Sequence, residues 1–192
     1  EMTSSLVGSE MCIRDSEDKP CAFEKYMECV SVKVKEICAE TGIKLPFILI
    51  EPGRSIAAPA GLTLYTVGVI KEIPNIRTYV SIDGGMCDNP RYALYKSEYD
   101  IEVANKAGEE KTETITLAGK CCESGDLIGE NMPVQHVEVG DTIAVLATGA
   151  YNYSMSSNYN RLCKPAVVMV KDGKSRVIVK RETLEDIIRN DI

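Results

Sequence analysis

The sequence predicts a short α/β segment followed by a larger, mostly antiparallel β domain of the sandwich or barrel type. Apolar residues first recur with a helical period and then form the continuous apolar run 47–50, which is typical of a strand buried in a parallel sheet. Beyond Arg54 they fall in short runs separated by turn residues, which indicates antiparallel strands. We therefore divide the chain into a tail at residues 1–18, an α/β segment at 19–56 and a β domain at 57–192.

Residues 1–16 show neither helical nor strand periodicity. The run from Ser4 to Ser16 resembles a translated sequencing adapter, so we exclude it from the fold as an artefact and expect a disordered tail.

A helix is predicted over residues 21–40, with Pro20 near its start and Gly42 just past its end. The run 47–50 should follow as a strand buried on both faces. A parallel strand needs neighbours on both edges and helices on both faces, and one upstream helix does not supply them. We therefore expect this segment to be the last unit of a larger, truncated α/β domain.

The β domain is predicted to contain seven strands and a closing helix over residues 182–189. Asp172 and Gly173 predict the hairpin turn between the last two strands. The strands are expected at residues 62–73, 78–82, 99–104, 112–117, 142–148, 166–170 and 176–180.

Composition excludes several classes of function. The 192 residues carry a net charge of −7, so the surface should repel nucleic acid and anionic membranes. No apolar run approaches the roughly 20 residues of a membrane span, and the first 16 residues do not read as a signal peptide. We expect a cytoplasmic protein without nucleic-acid or membrane partners.

Eight cysteines are present, but no C-x-x-C motif accompanies them and His136 is the only histidine. A closed zinc site needs four clustered ligands, so no metal site is predicted, the thiols are expected to be reduced, and His136 is interpreted as structural. The cysteines are Cys12, Cys21, Cys29, Cys38, Cys87, Cys121, Cys122 and Cys163.

The segment from Ala118 to Asp126 holds two thiols, a carboxylate and a hydroxyl between two glycines that permit sharp turns, and a second carboxylate follows directly. Such a loop could direct several reactive side chains into one cavity. Considered alone, however, the segment fits an ordinary turn between strands with incidental cysteines better than a catalytic loop.

Three other segments place polar side chains at the ends of predicted strands. Residues 51–54 (Glu-Pro-Gly-Arg) follow the buried strand, where parallel α/β folds bind ligands. Arg91 and Tyr95 lie four residues apart, so one helical turn would present both on a face that suits carboxylate recognition. Residues 148–155 add two tyrosines. Each segment alone also fits a structural role, such as an ion pair or a packed turn.

Taken in order, the four segments resemble those of the diaminopimelate decarboxylase family. The resemblance runs from about Phe23 to the C-terminus and rests on Glu-Pro-Gly-Arg, Asp-Gly-Gly-Met with Asn-Pro-Arg-Tyr-Ala-Leu-Tyr, Cys-Glu-Ser-Gly-Asp, and Thr-Gly-Ala-Tyr with Tyr-Ser-Met and Asn-Tyr-Asn. It implies a pyridoxal 5'-phosphate (PLP) enzyme of the alanine-racemase-like fold, in which a (β/α)8 barrel precedes a β domain. The implied reaction converts meso-diaminopimelate to L-lysine and carbon dioxide.

The resemblance also implies a cofactor site. Glu51 would face the pyridine nitrogen of PLP and keep it protonated, Gly53 would contact the cofactor, and Arg54 would lie near its phosphate and the substrate. Tyr151 would contact both cofactor and substrate.

The substrate residues are implied in the same way. Arg91, Tyr95 and Ser124 would hold the substrate, and Glu123 would bind its distal ammonium. Cys122 would return a proton to the substrate carbon after carbon dioxide leaves. Members of this family share their active sites across a homodimer, with the Cys-Glu loop reaching the partner's barrel.

The sequence departs from the family pattern in two ways. Tyr92 stands where the family more often has proline, although the spacing of Arg91 and Tyr95 is intact. No residue matches the cofactor-bearing lysine, the histidine that stacks on the cofactor or the glycine-rich phosphate loop, so the chain alone is expected to be inactive. The alternatives are a related ornithine or arginine decarboxylase, a non-catalytic homologue that dimerises with an active enzyme, and a stand-alone β-domain binding module.

Overall fold

The computed structural model describes residues 4–6, 22–51 and 53–192. Helix α1 (Phe23–Thr41) confirms the predicted helix. It ends where Gly42 adopts a left-handed φ of 71° and donates its amide to the Cys38 carbonyl at 2.9 Å. None of its residues is buried, and Phe23 and Val32 are about half exposed. The apolar side of α1 therefore has no cover within the described part of the chain.

Strand β2 (Ile48–Ile50) pairs in parallel with β1 (Ser4–Leu6). The disorder predicted for the tail is therefore wrong at Ser4–Leu6, and the rest of residues 1–18 lies outside the described residues. The run 47–50 is not buried on both faces within the described residues, since Phe47 is 92% and Leu49 59% exposed, and the larger α/β domain expected to cover it stays a prediction. The physical reason is that, within the described ranges, only β1 pairs with β2 and no helix covers it.

The β domain is built on one six-stranded sheet in the order β5-β8-β3-β4-β6-β7. All its pairs are antiparallel except β4 with β6. Its strands are β3 (Thr63–Ile73), β4 (Arg77–Ile82), β5 (Ile101–Val103), β6 (Glu113–Ala118), β7 (Leu127–Val134) and β8 (Thr142–Val145). The predicted strands 99–104 and 142–148 are thus shorter in the structure, and β7 was not predicted.

The sheet curls into a nearly closed barrel, so of the two predicted architectures the barrel is the one that fits. Across the closing seam, the buried side chain of Gln135 accepts a hydrogen bond from the Val103 amide at 2.9 Å. This bond satisfies an amide on the edge strand β5, which would otherwise remain unpaired. The enclosed core comprises Tyr65, Val67, Val80, Ile82, Tyr99, Ile101, Val103, Ile115, Leu117, Ile128, Met132, Val134, Val137, Ile143 and Val145.

The C-terminal hairpin forms a separate two-stranded sheet of β9 (Val167–Lys171) and β10 (Lys174–Val179). Asp172 and Gly173 both have positive φ, 51° and 71°, which confirms the predicted hairpin turn. The closing helix is also confirmed as α5 (Leu184–Ile188), which Thr183 and Asp186 cap reciprocally. Among the described residues, no helix is long and apolar enough to cross a membrane.

Candidate active site

The predicted site residues lie on four loops of the chain. Glu51 and Gly53 precede helix α2 (Arg54–Ala57), and residues 83–90 follow β4 and lead into helix α3 (Arg91–Tyr95). Residues 119–126 join β6 to β7, and residues 146–161 follow β8 and contain helix α4 (Asn152–Met155).

Backbone hydrogen bonds connect these loops. Lys120 donates its amide to the Gly84 carbonyl at 2.9 Å, and Ser157 donates to the Cys87 carbonyl at 2.7 Å. The amide of Gly149 donates to the carbonyl of Ala58, just beyond α2, at 3.1 Å. Segments far apart in sequence are therefore held together by their main chains.

Arg91 lies between two aromatic rings. Its guanidinium carbon is 5.4 Å from the Tyr95 ring centre and 5.2 Å from the Tyr151 ring centre, both within cation–π range. The residue is only 7% exposed, it donates to the Ser97 hydroxyl at 3.5 Å, and its buried Nε has no partner in the described structure. A buried guanidinium with an unused N–H is suited to a carboxylate ligand.

Tyr151 also joins this cluster to the α/β segment. Its hydroxyl packs against Gly53 so closely that a Cβ at Gly53 would overlap it, which explains why the position requires glycine. Tyr151 itself has a φ of 69°, an uncommon value for a tyrosine. Next to Gly53, Arg54 is buried and Glu51 is exposed. We call Gly53, Arg91, Tyr95 and Tyr151 the arginine cluster.

Asp126 fixes the loop that carries the two thiols. Its buried carboxylate accepts the amide of Met86 at 2.5 Å through Oδ1 and that of Cys121 at 2.6 Å through Oδ2. It lies so close to Gly85 and Gly119 that a Cβ at either position would overlap it. The sequence motif contained Asp126, but only the structure shows that it joins loop 83–90 to loop 119–126.

A second buried carboxylate, Asp88, holds the neighbouring loop. It accepts hydrogen bonds from the Tyr65 hydroxyl and the Gly85 amide, each at 2.7 Å, and from the Cys87 thiol at 3.3 Å. Burial raises the pKa of Asp88, although these hydrogen bonds oppose the shift. Both sides of the Gly84–Gly85 turn are thereby anchored.

The adjacent thiols Cys121 and Cys122 have different surroundings. Cys121 is partly buried beside Cys87, and burial together with the nearby Asp126 raises the pKa of its thiol. Cys122 is exposed, and its amide donates to the Asn160 side-chain oxygen at 2.7 Å. Of the two thiols, Cys122 is therefore the more accessible to a ligand that approaches from solvent.

Glu123 lies beside Cys122 on the same exposed loop. One carboxylate oxygen accepts from the Ser124 hydroxyl at 3.3 Å and from the Gly125 amide at 3.4 Å. The other accepts from the Tyr159 hydroxyl at 3.3 Å. Within the described residues no hydrogen bond joins Arg91 to Cys122 or Glu123. The structure thus forms two groups of predicted site residues rather than one.

Among the residues that the structure describes, His136 and the cysteines form no further centre. The His136 ring contacts the Glu113 carboxylate at 2.5 Å on the surface, and that hydrogen bond raises the pKa of the imidazole. In the part of the chain that the structure describes, no group of three His, Cys, Asp or Glu side chains is placed to hold a metal ion.

A family model described as the C-terminal sheet domain of pyridoxal-dependent decarboxylases matches residues 14–149. The chain belongs to this family. Among curated relatives, the chain is 48% identical to diaminopimelate decarboxylase of Bacillus subtilis, over 97% of this chain and 43% of the relative. Its identity to the Synechocystis enzyme of that name is 46%, over 96% of this chain and 39% of the relative. The chain thus spans about two fifths of the length of these relatives.

Solved structures give the same assignment. Diaminopimelate decarboxylase from M. jannaschii in complex with L-lysine matches with a TM-score of 0.77 and 32% identity, over 94% of this chain and 40% of that one. The Helicobacter pylori enzyme with L-lysine has a TM-score of 0.74 and 30% identity, over 91% of this chain and 41% of that one. A lysine/ornithine decarboxylase from Vibrio vulnificus is only 20% identical, with a TM-score of 0.58, and it supports the fold alone.

Proposed function

We propose that this sheet domain is part of a PLP-dependent diaminopimelate decarboxylase, a lyase that forms L-lysine and carbon dioxide from meso-2,6-diaminopimelate in lysine biosynthesis. The observation that carries the proposal is Tyr151, whose ring covers Arg91 while its hydroxyl lies against Gly53. One side chain thereby joins a candidate cofactor segment to a candidate substrate residue. The high identity to diaminopimelate decarboxylases over nearly the whole chain supports the same reaction.

The residues present fit PLP as the cofactor. PLP carries a phosphate, which is bound by cationic side chains or amide N–H groups. It also carries a pyridine nitrogen, whose protonated form is stabilised by a carboxylate. The segment around Gly53 provides the exposed carboxylate of Glu51 and the buried guanidinium of Arg54 within four residues. The absence of a side chain at Gly53 leaves that space to the Tyr151 hydroxyl. When bound, PLP supplies the electron sink for the bonding pair that the departing carboxylate leaves behind.

The chain's own residues then take complementary roles. Glu51 holds a proton on the pyridine nitrogen, and Arg54 neutralises the phosphate and contacts the substrate. Arg91 binds the distal carboxylate of diaminopimelate with Tyr95 at its side, while Glu123 pairs with the distal ammonium and Ser124 supports it. Cys122 holds the proton that the substrate carbon receives. Ornithine and arginine lack a distal carboxylate, so a buried arginine with an unused N–H favours diaminopimelate over both.

We further propose that α1 and β2 (within residues 19–56) are the last helix and strand of a (β/α)8 barrel, and that the enzyme is a cytoplasmic homodimer with shared sites. The exposed apolar side chains of α1 and β2 support the barrel, because such surfaces are normally covered. The separation of exposed Cys122 and Glu123 from the arginine cluster supports a shared site, because each group could then face a different subunit's cofactor.

The test is a chimera in which this chain replaces the matching segment of the Bacillus subtilis relative. We expect the chimera to release carbon dioxide from diaminopimelate in the presence of PLP, and to turn over ornithine and arginine at least about 10² times less efficiently. The 192-residue chain alone should show no turnover above a control with buffer and PLP. Preference for ornithine or arginine would assign the related decarboxylases, and a folded, PLP-loaded but inactive chimera would favour a non-catalytic homologue.

A further inference from the structure

The chain from Ser157 to Leu162 lies against loop 119–126, which we call the thiol loop, and the proposed function gives it no role. It includes the Asn-Tyr-Asn motif, residues 158–160, and a single 3-10 turn, Tyr159–Arg161. Two consecutive residues of this turn contact two consecutive residues of the thiol loop. Asn160 accepts the Cys122 amide at 2.7 Å, and Tyr159 donates its hydroxyl to Glu123 at 3.3 Å.

We propose that Asn160 and, to a smaller extent, Tyr159 are positioning residues that fix the orientation of Cys122 and Glu123. The proposal rests on the proposed function, since it concerns the proposed proton donor and the proposed ligand of the distal ammonium. Neither Asn160 nor Tyr159 is assigned contact with the reacting atoms.

The Asn160 contact is the stronger of the two. At 2.7 Å it lies at the short end of the range for an N–H donor to an oxygen, whereas the Tyr159 contact at 3.3 Å is long for a hydroxyl donor. Asn160 also has φ 54° and ψ 22°, a left-handed conformation that asparagine adopts more readily than most residues. The residue type therefore satisfies both the backbone geometry and the acceptor role.

The Tyr159 hydroxyl is suited to donate rather than accept. Burial, followed by the charge of Glu123 and the hydrogen bond to it, raises the pKa of the phenol. The hydroxyl accordingly remains protonated throughout the neutral range and presents its proton to the carboxylate.

The 3-10 turn is itself fixed by contacts with the C-terminal segment. A residue that positions another side chain needs such a fixed backbone. Asn158 donates to the Glu182 carboxylate at 2.6 Å, and the same carboxylate accepts the Lys164 amide at 2.8 Å. Arg161 forms a two-pronged ion pair with Asp191, at 2.5 and 3.2 Å. Both ends of the 3-10 turn are therefore bonded to the C-terminal segment. The thiol loop thus packs against a part of the chain whose own position is fixed by hydrogen bonds.

The first test measures amide hydrogen exchange by NMR in the 192-residue chain and needs neither cofactor nor catalysis. Asn160→Gly permits the positive φ but removes the acceptor, so the Cys122 amide should exchange about two- to tenfold faster, the worth of one net hydrogen bond. Asn160→Asp keeps a side-chain oxygen and should restore slow exchange. The Leu117 amide, in the adjoining strand β6, is the internal control and should not change.

The second test uses kinetics of the chimera described above. Asn160→Gly should lower kcat more than it raises KM, because it releases the proposed proton donor, and Asn160→Asp should recover most of the loss. Tyr159→Phe should instead raise KM for diaminopimelate, because it releases Glu123. Tyr153→Phe, which removes the hydroxyl of a nearby exposed tyrosine, is the matched control and should change neither constant.

Equal Cys122 exchange in the wild type and Asn160→Gly would overturn the role of Asn160, whatever the chimera does. Failure of Tyr159→Phe to exceed Tyr153→Phe in an active chimera would overturn the role of Tyr159. An inactive chimera with accelerated Cys122 exchange in Asn160→Gly would sink the proposed function while leaving the positioning contact supported.

Discussion

The β domain and the α1–β2 segment use similar apolar side chains with opposite results. In the sheet, Leu117, Ile128 and Ile143 are completely buried, whereas Ile37 of α1 is 46% and Phe47 before β2 is 92% exposed. The sheet encloses its own core because it curls into a nearly closed barrel, with Gln135 bridging the gap between the edge strands. The helix and strand have no such closure within the described residues. An apolar pattern thus predicts that a segment packs against other elements. Whether those elements are present depends on the topology of the whole fold.

The largest expected effect is on kcat, and it comes from Cys122 on the exposed loop 119–126 of the β domain. In the chimera, Cys122→Ala should reduce kcat by about 10² to 10⁴, the usual worth of a positioned acid. Cys121→Ala should cost little beyond packing, because Cys121 is partly buried beside Cys87. The measurement is kcat for both variants after each is shown to be folded and loaded with cofactor. A slow Cys121→Ala would shift the assigned loop register by one residue and require Glu123 to be reassigned.

The next largest expected effect is on stability, where truncation of an apolar side chain should cost more in the sheet than in α1. Ile143→Ala removes a completely buried side chain from the sheet and should lower the free energy of unfolding by about 2 to 5 kcal/mol. The same change at Ile37, on the uncovered helix, should stay within about 0.5 kcal/mol. Urea unfolding of both variants measures the difference. An equally large loss at Ile37 would show that α1 is packed in solution, for instance against a second copy of the chain.

Local signals in the sequence were sufficient where the backbone itself sets the structure. The end of α1 at Gly42 and the hairpin turn at Asp172–Gly173 were both predicted. Each requires a left-handed backbone, and the residue types present adopt that conformation readily. Strand β7 was missed because Gly129 and Pro133 interrupt its alternation, and Asn131 has a φ of 54°. Its pairing with β6 overrides these weak local preferences.

The candidate site follows the same rule. The sequence placed Arg91 and Tyr95 on one face because their spacing is helical, and the structure shows both at a short helix. It could not show that Asp126 connects Met86 to Cys121, or that Asn160 holds Cys122, since these pairs lie up to 40 residues apart. Such contacts depend on how loops meet in three dimensions, which no local spacing encodes.

Acid should destabilise the sheet more than the helix. Burial disfavours the Asp141 carboxylate, but hydrogen bonds from Lys106, Asn105 and the Glu138 amide outweigh it and lower the pKa to about 2. Because the folded pKa is below the ordinary 3.8, this stabilisation is complete above that value and is lost as pH falls through about 2.

Asp141→Asn should therefore cost about 2 kcal/mol at pH 7, and the difference from the wild type should vanish near pH 2. The control is Glu36→Gln, which removes an exposed ion pair with Lys33 on α1 and should change stability by less than about 0.5 kcal/mol. Urea unfolding at a series of pH values measures both. A pH-independent effect of Asp141→Asn would mean that its charge does not stabilise the turn before β8.

The smallest expected effect lies where the two regions touch, because Tyr151 covers Arg91 of the β domain and reaches Gly53 of the α/β segment. In the chimera, Arg91→Lys should raise KM for diaminopimelate about tenfold, equivalent to about 1.4 kcal/mol, and change kcat less. A lysine keeps the charge but loses the planar fork that binds a carboxylate through two N–H groups. Arg77→Lys is the matched control, because Arg77 also lies over a tyrosine, at 5.6 Å from the Tyr79 ring, but pairs with Glu130 and has no assigned contact with the substrate. An unchanged KM in Arg91→Lys, or an equal rise in Arg77→Lys, would remove Arg91 from the substrate site and leave the contact between the regions a matter of packing alone.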